Sequence, residues 1–414
     1  MVMFRTISIC LIVFCSSLNF ASAQVLGFNL TDGQKKVQIP IEVYDNLVIV
    51  PVIIDGKLPL RFILDTGVRT TILTNKTFSD ALSLVYTRKY TFSAPGIEKT
   101  INAYVTNNVS LDMPGVHGEG HAMLVLAEDY MELSNYLGTP VHGILGYELF
   151  SRFIVRINYK RKMLELMVPE KFKPGRKYQS LPMVVQDTKP YVFAEAEMND
   201  STKLKVKLLV DTGASHGLIL EPESDIAIQL PPKHVSSVIG RGLGGMIFGQ
   251  IGRINSLNLG EYKINGVIAN FPDPNSYMDT LKSSLTVFRN GTLGGEILNR
   301  FTVVFNFSGE KMYLKKNSTL KKQFYFNMSG LTVKAMGFKL KNFEITHVRK
   351  GSTADKADIQ EGDLILSING YDVESLSLNN VIGLFNSQPG RKINMKLFRD
   401  GKKLSREFKL ESQI

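Results

Sequence analysis

The chain has 414 residues, enough for two to four domains at about 100–200 residues each. Apolar residues make up 44% and charged residues 21%, which excludes a disordered, collagen-like or many-spanning membrane chain. Lys and Arg outnumber Asp and Glu by 49 to 38; the excess of +11 is spread along the chain with no basic block, so no nucleic-acid partner is expected.

Residues 1–23 carry Arg5, an apolar run from Ile7 to Phe14 and the small-x-small sequence Ala21-Ser22-Ala23, the pattern of a cleaved signal peptide. The run is too short to cross a bilayer, and no later stretch reaches about 18 apolar residues. Bulky Val13-Phe14 ahead of Cys15 argues against a lipoprotein anchor. Cys10 and Cys15 are the chain's two cysteines, so residues 24–414 hold no thiol and must be stabilised by packed cores. A secreted or periplasmic protein without disulfides is expected, which suits a bacterial envelope. The sequons at Asn75, Asn108, Asn306 and Asn317 matter only in a glycosylating pathway.

Next, Leu47 to Ile54, the turn Asp55-Gly56 and Lys57 to Leu64 read as a hairpin, because Asp-Gly supplies the positive φ angles of a tight turn. Its second strand runs straight into Asp65-Thr66-Gly67. Tyr191 to Met198, the polar turn Asn199-Asp200-Ser201 and Lys203 to Val210 repeat the pattern and end in Asp211-Thr212-Gly213. Downstream, Gly146-Tyr147-Glu148-Leu149-Phe150-Ser151-Arg152-Phe153 parallels Gly294-Gly295-Glu296-Ile297-Leu298-Asn299-Arg300-Phe301. The offsets are 146 positions (65 to 211) and 148 positions (146 to 294), so two motifs keep register through a duplicated unit of about 145 residues.

Lys315 to Lys322 is rich in Lys, Asn and Ser and reads as a linker. Beyond it, Gly362-Asp363 and Asn369-Gly370 mark turns. Ser377 reads as an N-cap ahead of Leu378, Val381, Ile382 and Phe385 at helical spacing, with Pro389-Gly390 ending the helix. Strands around Lys392–Arg399 and Lys403–Leu410 flank Asp400-Gly401. This is an α+β module of about 90 residues.

One Asp at a strand end is a common turn residue. Two, related by a pseudo-twofold axis, can meet at an interface and share one proton, since like charges a few Å apart do not both ionise easily. One carboxylate then activates a water and its protonated partner polarises a peptide carbonyl. Thr66 and Thr212 can bond across the axis, and Gly67 and Gly213 let backbone amides approach the carboxylates.

Here the sequence resembles the aspartic proteases, in particular the retropepsin-like group in fused two-copy form, over roughly residues 30–315. The carrying residues are Asp65-Thr66-Gly67, Asp211-Thr212-Gly213-Ala214-Ser215, Ile144-Leu145-Gly146 and Leu293-Gly294. The resemblance implies a mainly β fold with two retropepsin/pepsin-like β-barrel lobes forming a pseudo-dimer, at 24–170 and 171–320. It implies Asp65 and Asp211 as the catalytic pair, oriented by Thr66, Gly67, Thr212 and Gly213. It also implies flap hairpins over the substrate: Gly242, Leu243, Gly244 and Gly245 in the second lobe, and Ala94-Pro95-Gly96 or Gly115 to Gly120 in the first. Residues 325–414 resemble a PDZ domain. Met336, Gly337 and Phe338 would form its carboxylate-binding loop, and a peptide C-terminus would add as a strand between Phe338–Lys341 and the helix from Leu378.

The first copy departs from the pattern at Val68-Arg69-Thr70, where small or hydroxyl residues are usual. Arg69 beside the pair would favour ionised carboxylates. The expectation is thus an exported aspartic endopeptidase, active on protein or peptide substrates, monomeric and in need of no metal or organic cofactor. The alternative is a catalytically degenerate relative that only binds peptides. Gly240-x-Gly242-x-x-Gly245 formally matches a dinucleotide fingerprint but precedes a strand-like run. His117-x-Glu119-x-His121 reads as a glycine-containing loop without a third ligand. His216 lacks a nucleophile to serve and reads as a lobe-lining residue.

Overall fold

The computed structural model describes residues 26–93, 100–274 and 287–414. Residues 1–23, where a signal peptide is expected, and Ala94-Pro95-Gly96, one candidate for the first-lobe flap, lie outside the described residues. The fold is mainly β, as expected, in two similar lobes followed by an α+β module.

In the first lobe, β1 (Leu47–Ile54) and β2 (Leu58–Leu64) form the expected hairpin. Asp55 and Gly56 at its turn have φ of 49° and 63°, the left-handed pair that matches the twist of the strands. β1 is buried on both faces through Leu47–Val50 and then alternates, since only its first half lies between two layers. Helix α1 (Leu133–Leu137) precedes β3 (Gly143–Leu145). β3 slots between β2, to which it runs parallel, and Thr71–Leu73, to which it runs antiparallel. The second lobe repeats the plan with β4 (Lys189–Glu197) and β5 (Lys203–Val210). Their turn is closed by the Asn199 side chain, which accepts the Ser201 and Thr202 amides at 3.0 and 2.9 Å. A long hairpin follows, β6 (His234–Gly242) and β7 (Gly245–Arg253). β8 (Gly291–Leu293) then slots between β5 and Leu218–Leu220 as β3 does in the first lobe.

One sheet joins the lobes. Its strands run in the order Gln179–Gln186, Lys311–Lys316, Phe301–Asn306, Ile154–Asn158, Met163–Met167 and Lys36–Pro40. Three come from each half, and Val155 pairs with Phe305 at the central seam. Phe150 packs edge-on against Phe305 at 5.5 Å and stacks on Phe307 at 5.4 Å beside this seam.

The C-terminal module is a sheet in the order β9 (Leu331–Met336), β10 (Asn342–Val348), β11 (Leu364–Ile368), β12 (Lys392–Arg399) and β13 (Lys402–Lys409), with helix α2 (Leu378–Phe385) packed on β9. Ser377 caps α2 as expected, in a reciprocal box with Asn380.

Four local expectations are corrected. Phe338–Lys341 is a turn and not a strand, because Gly337 and Leu340 take φ of 77° and 52° and reverse the chain; the strand beside α2 is β9. α2 ends at Phe385, ahead of Pro389. His117 to His121 lie within the strand Val116–Leu126. The linker is shorter than expected, since Lys315 and Lys316 belong to the strand Lys311–Lys316; beyond it Arg300 donates to the carbonyls of Thr319, Leu320 and Lys322, and its guanidinium lies 3.3 Å over the Phe324 ring.

Candidate active site

β2 and β5 each end in an Asp, and β3 and β8 fix the spot. The Asp65 amide donates to Leu145 O and the Asp211 amide to Leu293 O, both at 2.9 Å. Immediately after, the two chains cross-link. Thr66 Oγ1 donates to Val210 O at 2.6 Å and accepts the Thr212 amide at 3.0 Å. Thr212 Oγ1 donates to Leu64 O at 2.8 Å and accepts the Thr66 amide at 3.1 Å. Both threonines are fully buried, so all four bonds are shielded from water.

This lattice sets Asp65 and Asp211 face to face, in hydrogen-bond contact with each other. The Gly67 amide donates to Asp65 Oδ1 at 2.6 Å and the Gly213 amide to Asp211 Oδ1 at 2.8 Å. A Cβ at Gly213 would lie 2.1 Å from Asp65 Oδ2, so this approach admits no side chain. Burial, and then the neighbouring Asp211 charge, push the Asp65 carboxyl well above the usual carboxylate range. Asp211 is raised by burial as well, with the Gly213 amide, Asp65, Arg289 and Lys189 pulling the other way. Both carboxyls are thus held above the usual range, which favours a single proton shared by the pair.

Arg69 does not stand on the pair. Its guanidinium lies 3.9 Å from Asp187 Oδ1, and the side chain is 71% exposed. The equivalent residue of the second copy, Ser215, meets the matching turn of the first lobe: Asn46 Nδ2 donates to Ser215 O at 3.1 Å, and Ser215 bonds the half-buried Asp45 carboxylate. The motif glycines pack behind the loops: a Cβ at Gly146 would lie 2.1 Å from Val68 O, and one at Gly294 2.1 Å from His216 O. Burial pushes the His216 imidazole down to about 4, and its Nε2 has no partner among the described residues.

Gly242 and Gly245 pair at the end of the β6–β7 hairpin, with Leu243-Gly244 as its turn. Leu243 packs on first-lobe residues around Ile72, Ile101 and Ile144. Sequence reading missed what holds this tip. Arg241 donates to Met131 O at 3.0 Å and to Glu132 Oε2 at 2.9 Å, and lies 4.3 Å over the Tyr136 ring. A lone Arg among glycines was the one available signal. Gly115 lies at the start of Val116–Leu126, where a Cβ would meet Val37, part of the strand Lys36–Pro40 in the joining sheet. In the C-terminal module, Met336, Gly337 and Phe338 lie at the far end of β9 with Phe338 fully exposed, and Leu378 is buried against Gly138 of the first lobe. His117 bridges Asp112 and Glu119, and His121 is buried against Phe28 and Glu148; no group of three metal-binding side chains occurs among the described residues.

The aspartyl protease family model matches residues 50–149 and 194–297, one copy on each Asp-Thr-Gly motif, and the PDZ domain model matches residues 344–399. The chain belongs to the aspartyl proteases in two-copy form, with a C-terminal PDZ domain. Short stretches also match probable periplasmic serine endoproteases of the DegP-like kind. Identity is 46% over 59 residues in Chlamydia trachomatis, 48% over 59 in Chlamydia muridarum and 43% over 58 in Hahella chejuensis. Each match covers 14% of this chain and 12% of the relative, so the chain spans about an eighth of their length. Basic 7S globulin from soybean aligns over 69% of this chain and 95% of its own, at 12% identity and a TM-score of 0.41. No described helix is long and apolar enough to cross a membrane.

Proposed function

We propose that this tandem aspartyl protease is an exported endopeptidase that hydrolyses peptide bonds through water activated by Asp65 and Asp211. The observation that carries the reading is the face-to-face pair, held by four buried threonine bonds and pushed toward a shared proton. One carboxylate of the pair takes a proton from the water as the water oxygen attacks the peptide carbonyl carbon, while the proton on the other carboxyl goes to the carbonyl oxygen. A tetrahedral diol forms. Its collapse breaks the C–N bond, the amine leaves with the proton taken from the water, and the other carboxyl recovers its own from the diol. No metal or organic cofactor enters these steps.

The β6–β7 hairpin serves as the second-lobe flap, with Gly242, Leu243, Gly244 and Gly245 over the substrate. The PDZ domain receives an extended peptide, and β9 is the edge that it would join. The DegP-like stretch and the sequence pattern of residues 1–23 support export. The contact of Arg69 with Asp187 supports the active reading over a binding-only one.

The test is cleavage of denatured protein across pH 3 to 8 by residues 24–414, beside Asp211→Asn. Loss of all cleavage in a variant that melts like the parent supports the reading; undiminished turnover in Asp211→Asn sinks it.

A further inference from the structure

The two oxygens of the Glu132 carboxylate are divided between two neighbours. Oε2 takes Arg241 of the second-lobe hairpin at 2.9 Å, and Oε1 faces Lys334 of β9 at 3.7 Å. The residues around it serve the same two neighbours. Met131 O and the Tyr136 ring hold Arg241, while Met131, Leu133 and Leu243 of the hairpin tip pack on the same apolar cluster around Ile72 and Ile144. On the other side, Asn135 Nδ2 donates to Ala335 O of β9 at 2.8 Å. β9 is the outer strand of its sheet, so this carbonyl belongs to the edge that an added strand would use. α1 packs on β9, and Gly138, ending α1 in the left-handed conformation at φ of 65°, leaves a Cβ only 2.5 Å from Leu378 Cβ at the start of α2. Helix α1 therefore fills the space between β9 and α2 that a PDZ ligand would take.

We infer that the first-lobe segment Met131–Gly138 is a brace shared by the hairpin over the cleft and the PDZ edge, so that an extended peptide joining β9 displaces α1 and frees the β6–β7 hairpin. The inference rests on the protease reading for its purpose and not for its mechanics. The partner is an extended, unfolded segment of another polypeptide, since the edge offers alternating backbone groups and the buried side chains Leu331, Val333 and Ala335 to one side. Binding at the PDZ domain and opening at the cleft are then two readings of one coupling, and by linkage anything that pulls the hairpin open also raises affinity at β9.

Amide hydrogen exchange in the full chain tests this, carried out in Asp211→Asn so that the result does not depend on catalysis. Lys334→Glu sets a third carboxylate beside Glu132 and Glu344, and Gly138→Val drives the helix end off Leu378. Neither residue touches the hairpin. Exchange at amides 240–247 is expected to rise by about tenfold or more in Lys334→Glu, and likewise when a synthetic alternating Val-Thr peptide with a free carboxylate is added to the parent. Gly138→Val, if folded by near-UV signature, gives the same result. Faster exchange in β9 with unchanged exchange at 240–247 overturns the coupling. So does a peptide that protects β9 and leaves the hairpin as it was, or one that binds neither the parent nor Lys334→Glu. With Asp211 restored, Lys334→Glu is expected to cleave a short peptide severalfold faster; no cleavage in any form counts against the protease reading alone, and the exchange result still decides the brace.

Discussion

Arg69 of the first lobe, four residues after Asp65, stands 3.9 Å from Asp187 of the second. The matching contact, between Ser215 and the Asp45-Asn46 turn, is half-buried and uses neutral donors. Equivalent positions of the two copies thus meet the opposite lobe through different chemistry. An exposed ion pair at this distance is weak and screened by salt. Arg69→Ser should therefore change kcat/KM by less than about threefold and the melting temperature by less than about 2 °C. Steady-state kinetics at low and high salt check this, and a loss of two orders of magnitude would return Arg69 to the dyad.

Thr212→Val keeps the shape of the buried cross-link and strands the Leu64 carbonyl and the Thr66 amide. Each unsatisfied group in a dry site costs about 1–3 kcal/mol, so the variant should lose about 2–4 kcal/mol and at least about tenfold in kcat/KM. Thr212→Ser restores both partners and should recover most of each. Urea denaturation monitored alongside activity separates the two effects.

Gly67 and Gly213 occupy equivalent places with unequal room. A Cβ at Gly67 would lie 3.1 and 3.2 Å from the carboxylate oxygens of Asp65 and Asp211, where a small adjustment suffices, against 2.1 Å at Gly213. Gly213→Ala should abolish cleavage, while Gly67→Ala should retain a measurable fraction. Equal losses in the two variants would show that the pair relaxes as one body.

Asp65 is raised in the folded chain, so folding favours its protonated form. Its contribution to stability is fully present below the unfolded pKa of about 4 and is lost as pH rises through the higher folded value. Asp65→Asn removes the ionisation. Thermal melts should show the variant gaining on the parent as pH goes from 4 to 8; a constant difference would mean that the charge is already well solvated.

His216 and Glu296 pull stability in opposite directions over one pH window. The imidazole sits at about 4, so its contribution is lost as pH falls from about 6.5 toward 4. Burial holds Glu296 up to about 7, so its contribution is lost as pH rises toward that value. Each amounts to something on the order of 3 kcal/mol. The parent curve should be flatter than that of either His216→Met, which leaves the loss with rising pH, or Glu296→Gln, which leaves the loss with falling pH. Chemical denaturation at pH 4.5, 5.5 and 6.5 tests the pair.

What the sequence made legible follows from where the information lies. Hairpin turns are local: Asp55-Gly56 and Asp400-Gly401 specify their positive φ angles by themselves, and the strands around them follow from apolar runs. The dyad was legible because duplication printed its signature twice. The brace at Glu132 was not, since Arg241, Glu132 and Lys334 are far apart in sequence and each alone is an ordinary surface charge. The error at Phe338–Lys341 has a similar origin. Gly337 was read as a ligand loop, whereas its left-handed φ serves a turn between two strands that already pair with each other.

The sheet joining the lobes makes assembly late. Lys36–Pro40 waits for Met163–Met167, and Ile154–Asn158 waits for Phe301–Asn306, so the seam closes only after some 270 positions of chain have been delivered, counting from residue 36 to residue 306. A first half synthesised alone would present Ile154–Asn158 as a bare apolar margin, prone to recruit a stray strand and precipitate.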